Sequence, residues 1–282
     1  MLALVSAPSA RSHDTDLLLL LDSLEAEGAH AVVVDWDDND VDWSQYEAAV
    51  IRSTWDYHRR LADFDRWLHL ASSSTRLWNP VELIRWNIDK RYLTEVASWG
   101  VPVVPTTVVT SRAEVDPANL SGDVVVKPSV GAGANGARRI IDDPAAALAH
   151  VDHLLGGGSA VLIQPYLSDV DARGETGIVT VGHRFSHAFG KAAILSGGAE
   201  WTDDLYVTEQ IEAREASAVE LDIVEAILRQ LPQTAYARID LLPAASGPVV
   251  SEIELIEPSL FLHVDPNAAD RVAAVFARLS TR

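Results

Sequence analysis

The chain has 282 residues, no cysteine, and 22 Lys plus Arg against 41 Asp plus Glu, a formal net charge of −19 at pH 7. Thiol nucleophiles and thiolate metal sites are excluded, and the negative field disfavours nucleic acid and anionic membranes as partners. An anionic ligand must meet a local basic pocket, and a soluble, cytoplasmic protein is expected.

The opening Met1 to Ser6 is apolar but lacks a cationic flank and reads as a first strand, not a signal peptide. Thr15 to Gly28 has a helical pattern with Gly28 placed to end it, and 31–35 and 48–52 are further apolar runs. The five leucines from Leu17 to Leu21 fall far short of the roughly 20 residues of a membrane span. This βαβ spacing predicts a small parallel sheet, whose ligands lie beyond the carboxyl ends of the strands. Immediately after the third strand come Arg52, Ser53, Thr54, Trp55, Asp56 and Tyr57. One reading makes this a substrate-binding segment with Arg52 holding a carboxylate; the other makes it an aromatic loop with Arg52 in a structural salt bridge.

Phe64 to Leu70 is helical in period, and Val81 to Trp99 reads as one helix with Asn87, Ile88, Asp89 and Lys90 near its middle and Gly100 as its stop. Seven of the eight tryptophans precede residue 100, and large aromatics on helices are mostly core, so only Trp55 is given a ligand role. Strands are expected over 101–109, 124–127, 160–164, 174–180 and 185–193, with helices over 143–155 and 212–231. A hairpin over 235–242 and 249–256 closes the pattern. No repeat or low-complexity tract appears.

Within this order, Val124-Val125-Val126-Lys127 ends a β-branched strand in a cation and runs into Pro128-Ser129-Val130-Gly131-Ala132-Gly133-Ala134-Asn135-Gly136. Small residues let backbone N–H groups approach phosphate oxygens beside a fixed cation. A plain glycine-rich hairpin would look similar. A Walker-type loop is excluded because the lysine precedes the glycines. Alternation in the last hairpin puts Arg238 and Asp240 on one face, and Glu252 and Glu254 on the matching face of its partner. Converging carboxylates destabilise one another unless one is protonated or a cation sits among them, and Mg²⁺ carrying a nucleotide satisfies that need. Simple solvation at an exposed edge is the alternative.

Taken in order, Asp89-Lys90, Val126-Lys127-Pro128 with its glycines, Ile163-Gln164-Pro165-Tyr166-Leu167, Arg238-Ile239-Asp240 and Glu252-Ile253-Glu254 resemble the ATP-grasp ligase superfamily, in the branch of glutathione synthetase and ribosomal-protein glutamate ligases. The resemblance implies an α/β (α+β) ATP-grasp fold: an N-terminal small parallel α/β domain over 1–85 on the substrate side, then two α+β subdomains clasping ATP, 86–166 with the glycine loop and 167–282 with the metal site. It implies that Lys90 and Lys127 hold ATP phosphates alongside Gly131 and Gly133, that Gln164, Tyr166 and Leu167 form the adenine hinge, and that Asp169 or Asp171 holds the ribose. The metal set becomes Asp240, Glu252 and Glu254, for Mg²⁺ with Mn²⁺ as a second candidate; Glu254 stands where the family pattern Glu-x-Asn has asparagine. Arg52 to Tyr57, Trp86 to Leu93, Arg173-Gly174-Glu175-Thr176 and Phe185 to Ala188 are similar more narrowly to relatives of the cyclo-ligase that closes O-ureido-D-serine to D-cycloserine.

The implied reaction is attack of a substrate carboxylate on the γ-phosphate of ATP to give an acylphosphate and ADP, followed by attack of an amine-like nitrogen that expels phosphate. Lys191 and Arg238 are the expected stabilisers of the transferring group, and Ser53, Thr54, Trp55, Arg173 and Glu175 join Arg52 as substrate contacts. For Lys191 a solvated strand position is the alternative, and His183 and His187 read as structural. A small amino-acid-like substrate and a homo-oligomer, dimer or tetramer, are expected. A small-molecule kinase on the same groups and a non-catalytic ATP-binding module are the rival readings.

Overall fold

The structure is a computed structural model that describes residues 1–133, 135–193, 195 and 210–279. Strands β1 (Leu2–Ser6), β2 (Ala31–Asp35), β3 (Ala48–Ser53) and β4 (Arg76–Trp78) pair in parallel in the order β2-β1-β3-β4, with helices α1 (Asp16–Ala26) and α2 (Leu61–Ser74) as connections. Their β-branched runs are the buried-strand signature of parallel sheets. Gly28 ends α1 at φ 75°, a conformation that favours glycine. Trp36, Trp43, Phe64 and Trp67 pack edge-to-face and stacked in one core cluster, so these aromatics are structural.

The single helix expected over 81–99 is instead two, α3 (Val81–Ile88) and α4 (Tyr92–Ser98). At the break the Asp89 carboxylate accepts the backbone N–H and side-chain Nε–H of Arg91, at 3.0 and 2.8 Å, a local turn that competes with helix continuation. Next come β5 (Thr107–Val109), β6 (Asp123–Pro128), β7 (Arg138–Ile141), α5 (Pro144–Gly156) and β8 (Val161–Pro165), an antiparallel sheet in the order β5-β8-β6-β7. Asp143 caps α5 by accepting the Ala146 N–H. Because β6 and β7 pair antiparallel, the glycine loop is a hairpin connection as well as a cavity wall.

A short helix α6 (Asp169–Arg173) leads to β9 (Glu175–Val181), β10 (Arg184–Lys191), β11 (Ile211–Ala213), α7 (Ala218–Leu228), β12 (Tyr236–Ala244), β13 (Gly247–Glu254) and α8 (Ala268–Leu279). The sheet order is β11-β10-β9-β12-β13, antiparallel throughout. Helix α7 is shorter than the pattern over 212–231 predicts: a capping box between Ser217 and Glu220 starts it late, and 211–213 adds to β10 as a strand. Residues of β1, α1, β9, β12 and α8 share one apolar core, so the first sheet and the last are packed together. No helix among the described residues is long and apolar enough to cross a membrane.

Strand β13 lies at the edge of its sheet, and its free side is satisfied by side chains from the first hundred residues. Asn87 donates to Ile253 O and accepts from Leu255 N, and the Tyr92 hydroxyl donates to Ile253 O and accepts from Ile253 N. Asn79, fully buried, donates to Tyr236 O and Leu255 O and accepts from Ala235 N. Val250 bonds to the 102–104 segment on the same side. Side-chain capping of this kind blocks edge pairing and fixes register.

Candidate active site

One cavity of about 800 Å³ runs between the three sheets. Its size suits a nucleotide with a small second substrate. The break between α3 and α4 puts Lys90 on its wall, and the Lys90 N–H donates to Ser129 O at 2.7 Å, tying the break to the glycine loop. The Lys90 ammonium donates to Gly131 O and sits 3.2 Å from Glu252 Oε1. Lys127, near the end of β6, lines the same cavity. Burial pushes its ammonium below the ordinary lysine value, partly opposed by the charge of Glu252. Gly131, Ala132 and Gly133 line the same wall. Gly133 has φ 61°, which a residue with a Cβ adopts only at a cost. Ala134 lies outside the described residues.

Facing this basic wall are Asp240, Glu252 and Glu254, brought together because Asp240 is the register partner of Glu252, and Arg238 of Glu254, across β12 and β13. Arg238 grips Asp240 through two nitrogens, at 2.9 Å each, donates to Glu254 and reaches Ser259 O at 3.1 Å. Burial pushes Glu254 up to about 8 despite Arg238. Burial also pushes Glu175, whose carboxyl faces the Lys191 charge, up to about 7. No group of three carboxylate or histidine side chains stands preassembled as a metal cage among the described residues. The physical reason is that Arg238 and Lys90 already neutralise these acids. The oxygen-only donor set fits a hard divalent cation.

The hinge residues Gln164, Pro165, Tyr166 and Leu167 line the cavity beside Val104, Val125, Leu242 and Ile253, an apolar slot fit for a base. Gln164 is oriented by donating to Thr106 Oγ1 at 2.8 Å. The Arg139 guanidinium lies 3.5 Å from the centroid of the Tyr166 ring. Lys191, Glu175 and Trp55 also line the cavity; Trp55 is fixed by donating from Nε1 to Glu257 O at 2.9 Å.

Other expected contacts do not reach it. Asp169 and Asp171 sit on the outer face of α6, where Asp171 accepts from the Tyr166 hydroxyl and pairs with Arg139. Arg173 is largely exposed and 3.9 Å from Asp169, away from the cavity. Arg52, Ser53 and Thr54 lie behind the wall: Arg52 is 1% exposed, and its Nη2 donates to Pro258 O at 2.9 Å. Strand β3 is buried to its last residue, so its terminal side chains point into protein. His187 is structural, with Nε2 2.7 Å from Leu260 O. Tyr57 and Asn87, from the segments singled out in the sequence, also line the cavity, and the structure adds lining residues with no motif to reveal them: Asp14, Glu257, Ser259 and His263. Burial and the neighbouring Glu254 hold the Glu257 carboxyl well above the usual range.

Residues 2–79 match the family described as the N-terminal domain of D-cycloserine synthetase DcsG. Over 98% of both chains the protein is 36% identical to the cycloserine biosynthesis protein DcsG of Streptomyces lavendulae. It belongs to the D-cycloserine synthetase family of ATP-grasp ligases. The crystal structure of D-cycloserine synthetase DcsG superposes with a TM-score of 0.89, covering 99% of each chain at 36% identity. The D-alanine–D-alanine ligase of Bacillus anthracis, solved with ATP, shares the fold at a TM-score of 0.69 and 15% identity, over 100% of this chain and 96% of its own. As a member of the D-cycloserine synthetase family the chain is an ATP-dependent ligase with an ATP-grasp fold.

Proposed function

We propose that this ligase activates the carboxylate of a small amino-acid-like substrate as an acylphosphate and closes it on an internal nitrogen, with O-ureido-D-serine as substrate and D-cycloserine as product. One observation carries the reading: a single cavity sets Lys90, Lys127, Lys191 and Arg238 against Asp240, Glu252 and Glu254, in a chain similar along its whole length to DcsG. Lys90, Lys127 and the backbone of the glycine loop bind the phosphates, and the 164–167 hinge binds the base. Lys191 and Arg238 neutralise charge on the transferring phosphoryl group and on the carboxylate that attacks it. Asp240, Glu252 and Glu254 would hold Mg²⁺, or Mn²⁺ in its place, which when bound neutralises the phosphate oxygens.

The substrate carboxylate attacks the γ-phosphorus and ADP leaves. The nitrogen bonded to the side-chain oxygen then attacks the acyl carbon, gives up its proton and expels phosphate as the five-membered ring closes. Atom balance requires the carbamoyl group to depart with one water molecule as carbon dioxide and ammonia.

The test is product analysis of purified protein with Mg-ATP and a panel of amino acids and dipeptide precursors that includes O-ureido-D-serine. The expected result is substrate-dependent ADP and D-cycloserine, abolished by chelation and restored by Mg²⁺. A stable phosphorylated product or AMP would overturn the reading.

A further inference from the structure

The start of helix α1 and the loop before it contribute two acids to the cavity, Asp16 and Asp14, and only one has an oxygen to spare. The Asp16 carboxylate accepts the N–H groups of Leu260 and Phe261 on one oxygen, at 2.7 and 3.0 Å, and of Leu262 on the other, at 2.8 Å. It is consumed in pinning the segment after β13. Asp14, 7% exposed, uses Oδ1 to accept the Asp16 N–H at 3.0 Å, while its buried Oδ2 has no hydrogen-bond partner. Arg52, near enough for its charge to act on Asp14, has Nε and Nη1 likewise buried and without a hydrogen-bond partner, and Thr54 Oγ1, two residues along the chain, is a further orphan.

Unpaired buried polar atoms are rare and each needs a physical account. Here four of them, on three residues, gather at the carboxyl ends of the parallel strands, where such sheets bind ligands. Burial raises the Asp14 carboxyl above its ordinary value, and the nearby Arg52 charge opposes that shift and favours the ionised form; a donor from the cavity would complete Oδ2 and stabilise the charge further.

Resting on the reading above, we propose that Asp14, backed by Arg52, receives the α-ammonium group of the substrate and selects amino acids over plain carboxylic acids. The remaining wall assigns the other groups: Lys191 and Arg238 take the reacting carboxylate, and the aromatic side chains of Trp55 and Tyr57 border the space between. A charge-assisted hydrogen bond to a desolvated carboxylate discriminates strongly against a ligand that lacks the donor.

The experiment compares Asp14→Asn and Asp14→Ser, both of which keep an acceptor for the Asp16 N–H, with the wild type and Glu257→Gln. Each is assayed by ADP release with O-ureido-D-serine and with its des-amino counterpart, 3-(ureidooxy)propanoate. The wild type is expected to prefer the amino substrate by about 10- to 100-fold in kcat/KM. Both Asp14 variants should lose that preference, with little change on the des-amino compound and an unchanged KM for ATP. Equal loss on both compounds, or loss of preference only in Glu257→Gln, overturns the proposal. Should O-ureido-D-serine give no ADP, the substrate reading falls by itself. The same comparison is then made with a panel of D-amino acids beside their des-amino acids, and a wild type with no preference for the amino group sinks the subsite. If only an ordered water fills this place, both Asp14 variants will retain the preference.

Discussion

The Lys90 ammonium stands 3.2 Å from a Glu252 carboxylate oxygen while donating to the Gly131 carbonyl. One cation thus bridges the glycine loop to the acids of β13. Lys90→Met and Glu252→Gln are each expected to lower kcat/KM for ATP by about 10²–10³-fold. The double variant should lose less than the product of the two, because the residues touch. Steady-state ADP release checks this, and normal turnover by Glu252→Lys would remove Glu252 from the metal set.

The buried histidines remove stability as the solution turns mildly acidic, against the opposite contribution of Glu254 and Glu175, whose carboxyls burial holds protonated. Burial depresses the His187 imidazole below its ordinary 6.5, with Arg271 adding and the bond to Leu260 O opposing; burial likewise lowers His58 and His150. The unfolded chain therefore binds these protons more tightly, so the histidine contribution is full above about 6.5 and is lost as pH drops through that value toward the folded pKa values. Urea unfolding at pH 7.5, 6.5 and 5.5 should show the wild type losing stability relative to His187→Gln as the pH falls.

Gly177 in β9 lies beneath the Phe189 ring, and a Cβ there would come within 2.1 Å of it. Gly177→Ala should cost about 1–3 kcal/mol through overpacking. Phe189→Leu in the same background should recover part of that loss in a thermal melt, since the ring is what the methyl meets.

Asn79→Ala removes three hydrogen bonds at a fully buried position and orphans two carbonyls and one N–H. A loss of about 3 kcal/mol or more is expected in denaturant unfolding. Asn79→Asp should also destabilise, because it replaces the donor to Tyr236 O and Leu255 O with an acceptor.

The parts of the site readable in the sequence were those in which chemistry and spacing coincide on one element. Lys127 with its glycines, and the acids of β12 and β13, announce themselves because strand alternation fixes which side chains share a face. Lys90 was legible only through family resemblance: helical periodicity ran straight through residues 81–99, and the Asp89 side-chain turn at the break is one carboxylate among many. Asp14 and Glu257 carry no local signal, since their places depend on chain segments more than 200 residues apart meeting at the cavity. Asp169, Asp171 and Arg173 looked apt as polar groups after the hinge, but α6 turns them outward. Arg52 has the right chemistry at the right end of a strand, yet β3 is buried to its tip.

The side chains that finish the outer rim of β13 come from positions 79, 87 and 92, far upstream of the strand they complete. During synthesis these partners leave the ribosome before β13 exists. The strand bearing Glu252 and Glu254 is then born into a waiting template. A C-terminal half expressed by itself has no such template: it offers a bare, sticky strand whose acids have lost their alignment, and self-association is the natural outcome.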